Sequence, residues 1–220
     1  PITELLNEAG KRLFPTFVRI QIQIDSLHHF HENQNLDFDA EISRFGNSTF
    51  MSNIHAQAGK RKLKATLMTI FSTRGLHGNA QLNRSHRQLM ENEIVEQIEM
   101  PEFLVDYRSL RKGNILSVDI YGDEFFVFNF FLYQVEYTIN PYYDLNGVGL
   151  LYFASYPIIS DKCEADFFNQ SCKEPWESQY HTITRDVYYF NNCDKKDIII
   201  YRLHYFETLD NGDVKIASSL

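Results

Sequence analysis

The stretch LDFDAEISRFGNSTFMSNIHAQAGKRKLKATLMTIFS, residues 36–72, decides the fold. It reads as three strands, 36–45, 49–57 and 62–72, broken at Gly46-Asn47-Ser48 and again at Ala58-Gly59-Lys60. Gly, Asn and Ser between β-rich runs are turn signals, and turns this short make consecutive strands antiparallel neighbours. Upstream, residues 14–24 alternate. Phe17, Arg19, Gln21 and Gln23 face one way, and Val18, Ile20, Ile22 and Ile24 the other, which is the period of a half-buried strand. The polar segment 26–35 between these strands holds His28, His29 and His31 and reads as a loop.

Outward from the meander, Thr3 to Leu6 reads as the tail of a helix that stops at Gly10. Residues 74–114 break the pattern and read as a long crossover with some helix. Residues 123–137 are aromatic and β-like, and 140–146 are a loop. Residues 147 to about 168 form the best helix candidate, with Leu150, Leu151, Ala154, Ile158 and Cys163 on a broad apolar face and a kink or break predicted at Pro157. Strands follow at 180–190, 197–207 and from 213 onward. The order helix, strand, polar loop, strand, Gly turn, strand therefore occurs twice, at 3–57 and 147–217. A long helix followed by a meander that wraps it is the hot-dog plan. The prediction is an α+β double hot-dog, two long helices each wrapped by an antiparallel sheet. The first repeat spans 1–122, including the crossover segment 74–122, and the second spans 123–220. Both ends read as cut from a longer chain.

Composition narrows the function. The 220 residues are 44% hydrophobic and 23% charged, which is globular, and the 15% aromatic share favours strands. A net charge of −8 argues against nucleic acid and against anionic membranes as partners. No apolar run reaches the length of a membrane span. Cys163, Cys172 and Cys193, odd in number and irregular in spacing, read as free thiols of a cytoplasmic protein.

The densest chemical signal is NPYYDLNGVGLLYFASYP, residues 140–157. A polar loop carrying Asn140, Asp144 and Asn146 runs into a helix predicted to open at Gly147. Such a loop offers free backbone N–H groups and a positive dipole end to a thioester carbonyl or an enolate. The plain alternative is a helix cap made by Asp144 or Asn146. Arg74, Arg84, His86 and Arg87 form a locally basic stretch suited to phosphates of coenzyme A or phosphopantetheine, or else a solvated crossover. The loop histidines lack the spacing of a zinc site, and no metal is predicted.

The run 140–157, followed by Arg185-Asp186-Val187-Tyr188-Tyr189-Phe190-Asn191-Asn192 and then Asp197, resembles the LnmK-type bifunctional acyltransferase/decarboxylases, double hot-dog proteins of polyketide pathways. The crossover 74–85, with Asn79, Leu82 and Arg84, is similar in a looser way. The resemblance implies decarboxylation of a methylmalonyl- or malonyl-CoA and transfer of the acyl group to a phosphopantetheinylated acyl carrier protein, with no cofactor beyond the coenzyme A thioester itself. It implies catalytic roles for Asp144, Asn146, Gly147 and Tyr143, and substrate contacts from Asn140, Val148, Arg74, Asn79 and Arg84. The family works through an acyl-tyrosine. The stretch matching its strand, 12–18, contains no Tyr, which leaves Tyr142, Tyr143 and Tyr152 as candidates. Two other readings stay open. One is a hot-dog thioesterase or dehydratase. No His lies between residues 87 and 180, which counts against a His-based dehydratase, while Asp144 keeps a thioesterase open. The other is a non-catalytic docking or dimerisation domain, and homodimerisation is left open.

Overall fold

The computed structural model describes residues 5–25, 30–76, 78–85, 96–113, 117–120, 123–126, 130–170 and 175–220. In chain order the elements are β1 (Phe14–Ile24), β2 (Asp37–Phe45), β3 (Thr49–Ala58), β4 (Arg61–Gly75), β5 (Gly78–Arg84), β6 (Glu96–Gln97), α1 (Glu102–Arg111), β7 (Ser117–Ile120), β8 (Asp123–Phe126), β9 (Tyr133–Thr138), α2 (Ser155–Phe168), α3 (Trp176–Gln179), β10 (Thr184–Tyr188), β11 (Ile198–Thr208) and β12 (Val214–Ser219). The fold is mostly antiparallel sheet with few helices. No helix among the described residues is long and apolar enough to cross a membrane.

The chain forms two compact units. The expected boundary at 122/123 divides it by repeat, whereas the packing groups Pro1–Arg108 with His181–Asn192, and Ser109–Tyr180 with Cys193–Leu220. In the first unit the strands run β10-β1-β4-β3-β2-β6, with β5 pairing β4. The meander is as the turns dictate. Gly46 at φ +58° and Gly59 at φ +65° take the left-handed conformation the two tight connections need. α1 covers this sheet, burying Leu104 and Tyr107 against Val18 and Met68.

Three features of this unit depart from the sequence reading. Residues 5–13 are not the end of a helix: Leu6 bridges Arg12, and the Asn7 side chain closes the turn by accepting from the Ala9 and Lys11 amides. Among the described residues the unit's helix is instead α1, which follows the meander. Finally, β1 slips register between Phe17 and Arg19, and this bulge buries Val18, Arg19 and Ile20 in succession.

In the second unit β12-β11-β9 form one sheet and β7-β8 a hairpin. Ile159, Cys163 and Phe168 of α2 pack with Ile199, Tyr201 and Leu203 of β11. The expected helix from Gly147 is corrected: α2 starts at Ser155, and the preceding segment makes turns and a Leu145–Leu151 bridge. Leu150 and Leu151 are buried, but as part of a loop. Pro157 causes no kink. It is the third helical residue, where its missing N–H has no intrahelical partner to lose.

Candidate functional site

The loop between β9 and α2 is organised around Asp144. This residue is 5% exposed. Its Oδ2 accepts from the Asn140 amide at 2.6 Å and from the Tyr137 hydroxyl at 3.0 Å. Its carbonyl accepts from the Tyr152 amide at 2.7 Å and from Ser155 Oγ at 3.1 Å, which ties the loop to the first residue of α2. Oδ1 accepts no hydrogen bond and keeps some contact with solvent. The carboxylate is thus held by one oxygen and available at the other. Burial, together with the bond to Asp144 and its charge, pushes the Tyr137 hydroxyl up to about 12, so it remains a donor at neutral pH. Lys162 Nζ lies 5.3 Å from the Tyr137 ring centroid.

The neighbouring residues divide into builders of the loop and exposed groups. Asn140 closes the first turn: its Oδ1 accepts from the Tyr142 amide and its carbonyl from the Tyr143 and Asp144 amides. Asn146 closes the second, its Oδ1 accepting from Val148 N–H at 3.1 Å and Leu150 N–H at 3.0 Å. The Val148 amide is therefore already donated, and neither Asp144 nor Asn146 caps α2. The N-cap position is Ala154, which makes no side-chain cap bond. Gly147 does not open a helix. Its N–H makes no hydrogen bond, and a Cβ there would meet open space. Tyr142 and Tyr143 are 92% and 81% exposed. Cys193 belongs to the same neighbourhood. Burial, with Asp197, Asp194 and Asp144, pushes its thiol up to about 11, the reverse of an activated nucleophile.

The expected substrate-binding residues Arg74, Asn79 and Arg84 belong to the other unit. Arg74 is exposed at the end of β4, its guanidinium 5.0 Å from the Phe14 ring centroid. Asn79 is half-buried on β5. Arg84 donates to Ser48 Oγ and Thr49 Oγ1. His28, His29, His86 and Arg87 lie outside the described residues. Among the described residues no three His, Cys, Asp or Glu side chains group as a metal site.

Sequence reasoning missed two buried polar clusters. In the first unit Arg19, side chain 1% exposed, pairs with Asp186 at 2.6 Å and with Asp106 at 3.3 Å. The guanidinium is sandwiched between the Phe103 and Tyr188 rings. Burial alone would lower the Arg19 pKa, but the bond to Asp186 and its charge outweigh that and hold it above the ordinary value. This cluster pins β1, β10 and α1 together. In the second unit Glu164 of α2 is buried and accepts through Oε1 from Ser160 Oγ, Ser218 Oγ and the Tyr201 hydroxyl. Its only sequence signal is an acid beside the core residue Cys163.

No protein-family model and no curated protein matches the chain. Solved structures do. The 12:0-ACP thioesterase from Umbellularia californica superposes with a TM-score of 0.51 at 9% identity, over 89% of this chain and 67% of that one. A protein described as an oleoyl thioesterase from Lactobacillus plantarum gives 0.59 at 10% identity, over 94% and 70%. An acyl-ACP thioesterase from Bacteroides thetaiotaomicron gives 0.50 at 10%, over 94% and 77%. At such identities the likeness is one of fold: this chain has the hot-dog fold of acyl-ACP thioesterases. The neighbours share the acyl-thioester theme of the sequence resemblance and lend nothing to its acyltransferase and decarboxylase chemistry.

Proposed function

We propose that this protein is a double hot-dog acyl-thioester hydrolase in which Asp144 is the general base. One observation carries the reading: a carboxylate fixed through Oδ2 by Tyr137 and Asn140, with Oδ1 unbonded, in the loop leading into α2. Asp144 Oδ1 takes a proton from a water molecule as the water oxygen attacks the thioester carbonyl carbon. The C–S bond then breaks, and the leaving sulfur takes that proton back, giving a carboxylic acid and a free thiol. The Gly147 N–H, committed to no other acceptor, is the donor for the oxyanion. The reaction draws on no metal or cofactor. Its substrate is an acyl group on coenzyme A or on a phosphopantetheinylated acyl carrier protein.

Hydrolysis is favoured over decarboxylation with acyl transfer for two reasons. The three solved structures described above are thioesterases by their descriptions. A base with a free oxygen also suits water activation, whereas acyl transfer needs a nucleophile with its own base. The test is incubation with saturated acyl-CoA esters of graded length and with malonyl- and methylmalonyl-CoA, reading released thiol, small-molecule products and intact protein mass. Free thiol and free acid without a protein adduct support hydrolysis. Loss of carbon dioxide or a mass adduct removed by Tyr143→Phe restores the decarboxylase/acyltransferase reading. No turnover of any thioester leaves a docking domain.

A further inference from the structure

We propose that the α1-covered face of the first unit's sheet carries a phosphate-binding site formed by Arg84, Arg108 and the hydroxyl of Ser72. Cross-strand partners project to one face, as do residues two apart on a strand. Phe45 pairs with Thr49, Thr49 with Ile70, and Ser72, two residues beyond Ile70, with Arg84. These five side chains therefore share a face, the one on which Phe45 and Ile70 pack against the cluster that Val18 and Met68 form with Leu104 and Tyr107 of α1. Arg84 is anchored there by Nε to Ser48 Oγ at 2.6 Å and Nη2 to Thr49 Oγ1 at 2.7 Å. Arg108 of α1 places its guanidinium 5.8 Å from the centroid of the Phe45 ring. Two guanidinium groups thus flank the Phe45–Thr49 pair.

Among the described residues neither has a carboxylate within ion-pair distance, although the chain carries 29 Asp and Glu against 21 Lys and Arg. Arg84 is bound by neutral hydroxyls, and Arg108 donates to the Met100 sulfur. Burial and the Arg108 charge both lower the Arg84 pKa, as expected of like charges left uncompensated. Ser72, 1% exposed and cross-strand from Arg84, supplies an independent sign: its hydroxyl is buried without a hydrogen-bond partner. A buried hydroxyl of that kind is a penalty in a purely structural role. Two cationic forks and a hydroxyl donor suit a tetrahedral dianion. A phosphate monoester neutralises both charges and takes bonds from several directions, which a monovalent planar carboxylate does not.

The site stands apart from the Asp144 reading, and its test needs no turnover. Titration calorimetry at low ionic strength would use inorganic phosphate, acetate, coenzyme A and phosphate-free pantetheine, on the unmutated chain, Ser72→Ala and Arg108→Gln. Phosphate is expected to bind and acetate not, with affinity falling about tenfold or more in Arg108→Gln. Ser72→Ala is expected to weaken phosphate binding several-fold while holding or raising the melting temperature, because it removes an unpartnered buried hydroxyl. A serine that matters to folding alone cannot produce that opposition. Coenzyme A binding more tightly than phosphate, and pantetheine not binding, would assign the site to the phosphates of a thioester carrier. Equal affinity for coenzyme A and phosphate would assign it to free phosphate. Absence of phosphate binding at millimolar concentration, or wild-type affinity in Ser72→Ala, overturns the proposal.

Discussion

Replacing Asp144 by Asn isolates chemistry from architecture. The amide oxygen of Asn can occupy the position of Oδ2 and still accept from Tyr137 and from the Asn140 amide. What changes is the other atom: the open Oδ1 becomes an NH2 group that cannot take a proton. Structurally, two charge-assisted bonds become neutral ones. Such bonds fall from about 1.5–3 to about 0.5–1.5 kcal/mol each, so the variant should lose about 2 kcal/mol. A domain with roughly 5–15 kcal/mol of stability survives that. Chemically, loss of a general base costs about 10²–10⁴ in rate. Asp144→Ala differs in kind. It strands the Tyr137 hydroxyl and the Asn140 amide in a buried loop, at about 1–3 kcal/mol each, and should lower stability further. The assay is thiol release from an acyl-CoA ester, paired with urea unfolding of each variant. The expected result is a folded, cooperative Asp144→Asn protein with turnover reduced at least a hundredfold. Retention of normal turnover in a folded Asp144→Asn protein refutes the general-base role and leaves Asp144 as a loop builder.

Tyr137→Phe removes one of the two donors that fix the Asp144 carboxylate and should cost about 1.5–3 kcal/mol in urea unfolding, the worth of a hydrogen bond to a charged group. An unchanged unfolding midpoint would show that this bond does not hold the loop. Asp186→Asn leaves the Arg19 guanidinium buried without its main partner and should cost about 3–5 kcal/mol in denaturant unfolding; a change under about 1 kcal/mol would show that the pair pins nothing. Burial pushes the Cys163 and Cys193 thiols up from near 9 to about 11. Because the folded values exceed the unfolded ones, the protonated thiols favour folding fully below pH 9, and this contribution is lost as pH rises through 11. Alkylation of the native protein at pH 8 should therefore be slow at both, and fast labelling there would contradict their burial.

Most of the sheet was legible because its signals are local. The strand 14–24, the turns at Gly46 and Gly59, and the three meander strands follow from period-two patterning and turn chemistry. Helix placement was less legible. Leu5-Leu6 before Gly10 looks like a helix end, but Asn7 offers its side-chain oxygen to two local amides and closes a turn instead. Leu150 and Leu151 look like a helical face, yet they are buried in a looped segment closed by the Leu145–Leu151 bridge. Apolar spacing reports burial and does not distinguish these two ways of achieving it. Arg19 was placed among polar face residues because strict alternation carries no trace of a bulge. Its partner Asp186 lies 167 residues away, beyond any window of local pattern.

The candidate site was legible as a set of residues and illegible as a division of labour. Asp144, Asn140, Asn146 and Gly147 do converge on one loop, and the sequence places a carboxylate and amides there. What it cannot carry is which lone pairs are spent. Asn140 and Asn146 offer the same side-chain oxygen, and both are consumed by backbone amides of their own turns. Val148 donates its amide, while Gly147, one residue earlier, does not. Asp144 commits one oxygen and withholds the other. The residues that build the loop are therefore those whose valences are satisfied within it. A substitution that removes structure should appear at Asn140 and Asn146, and one that removes turnover at Asp144. This distinction makes the site falsifiable: if Asn146→Ala abolished turnover in a chain of unchanged stability, the valence argument would fail at the residue where it is most explicit.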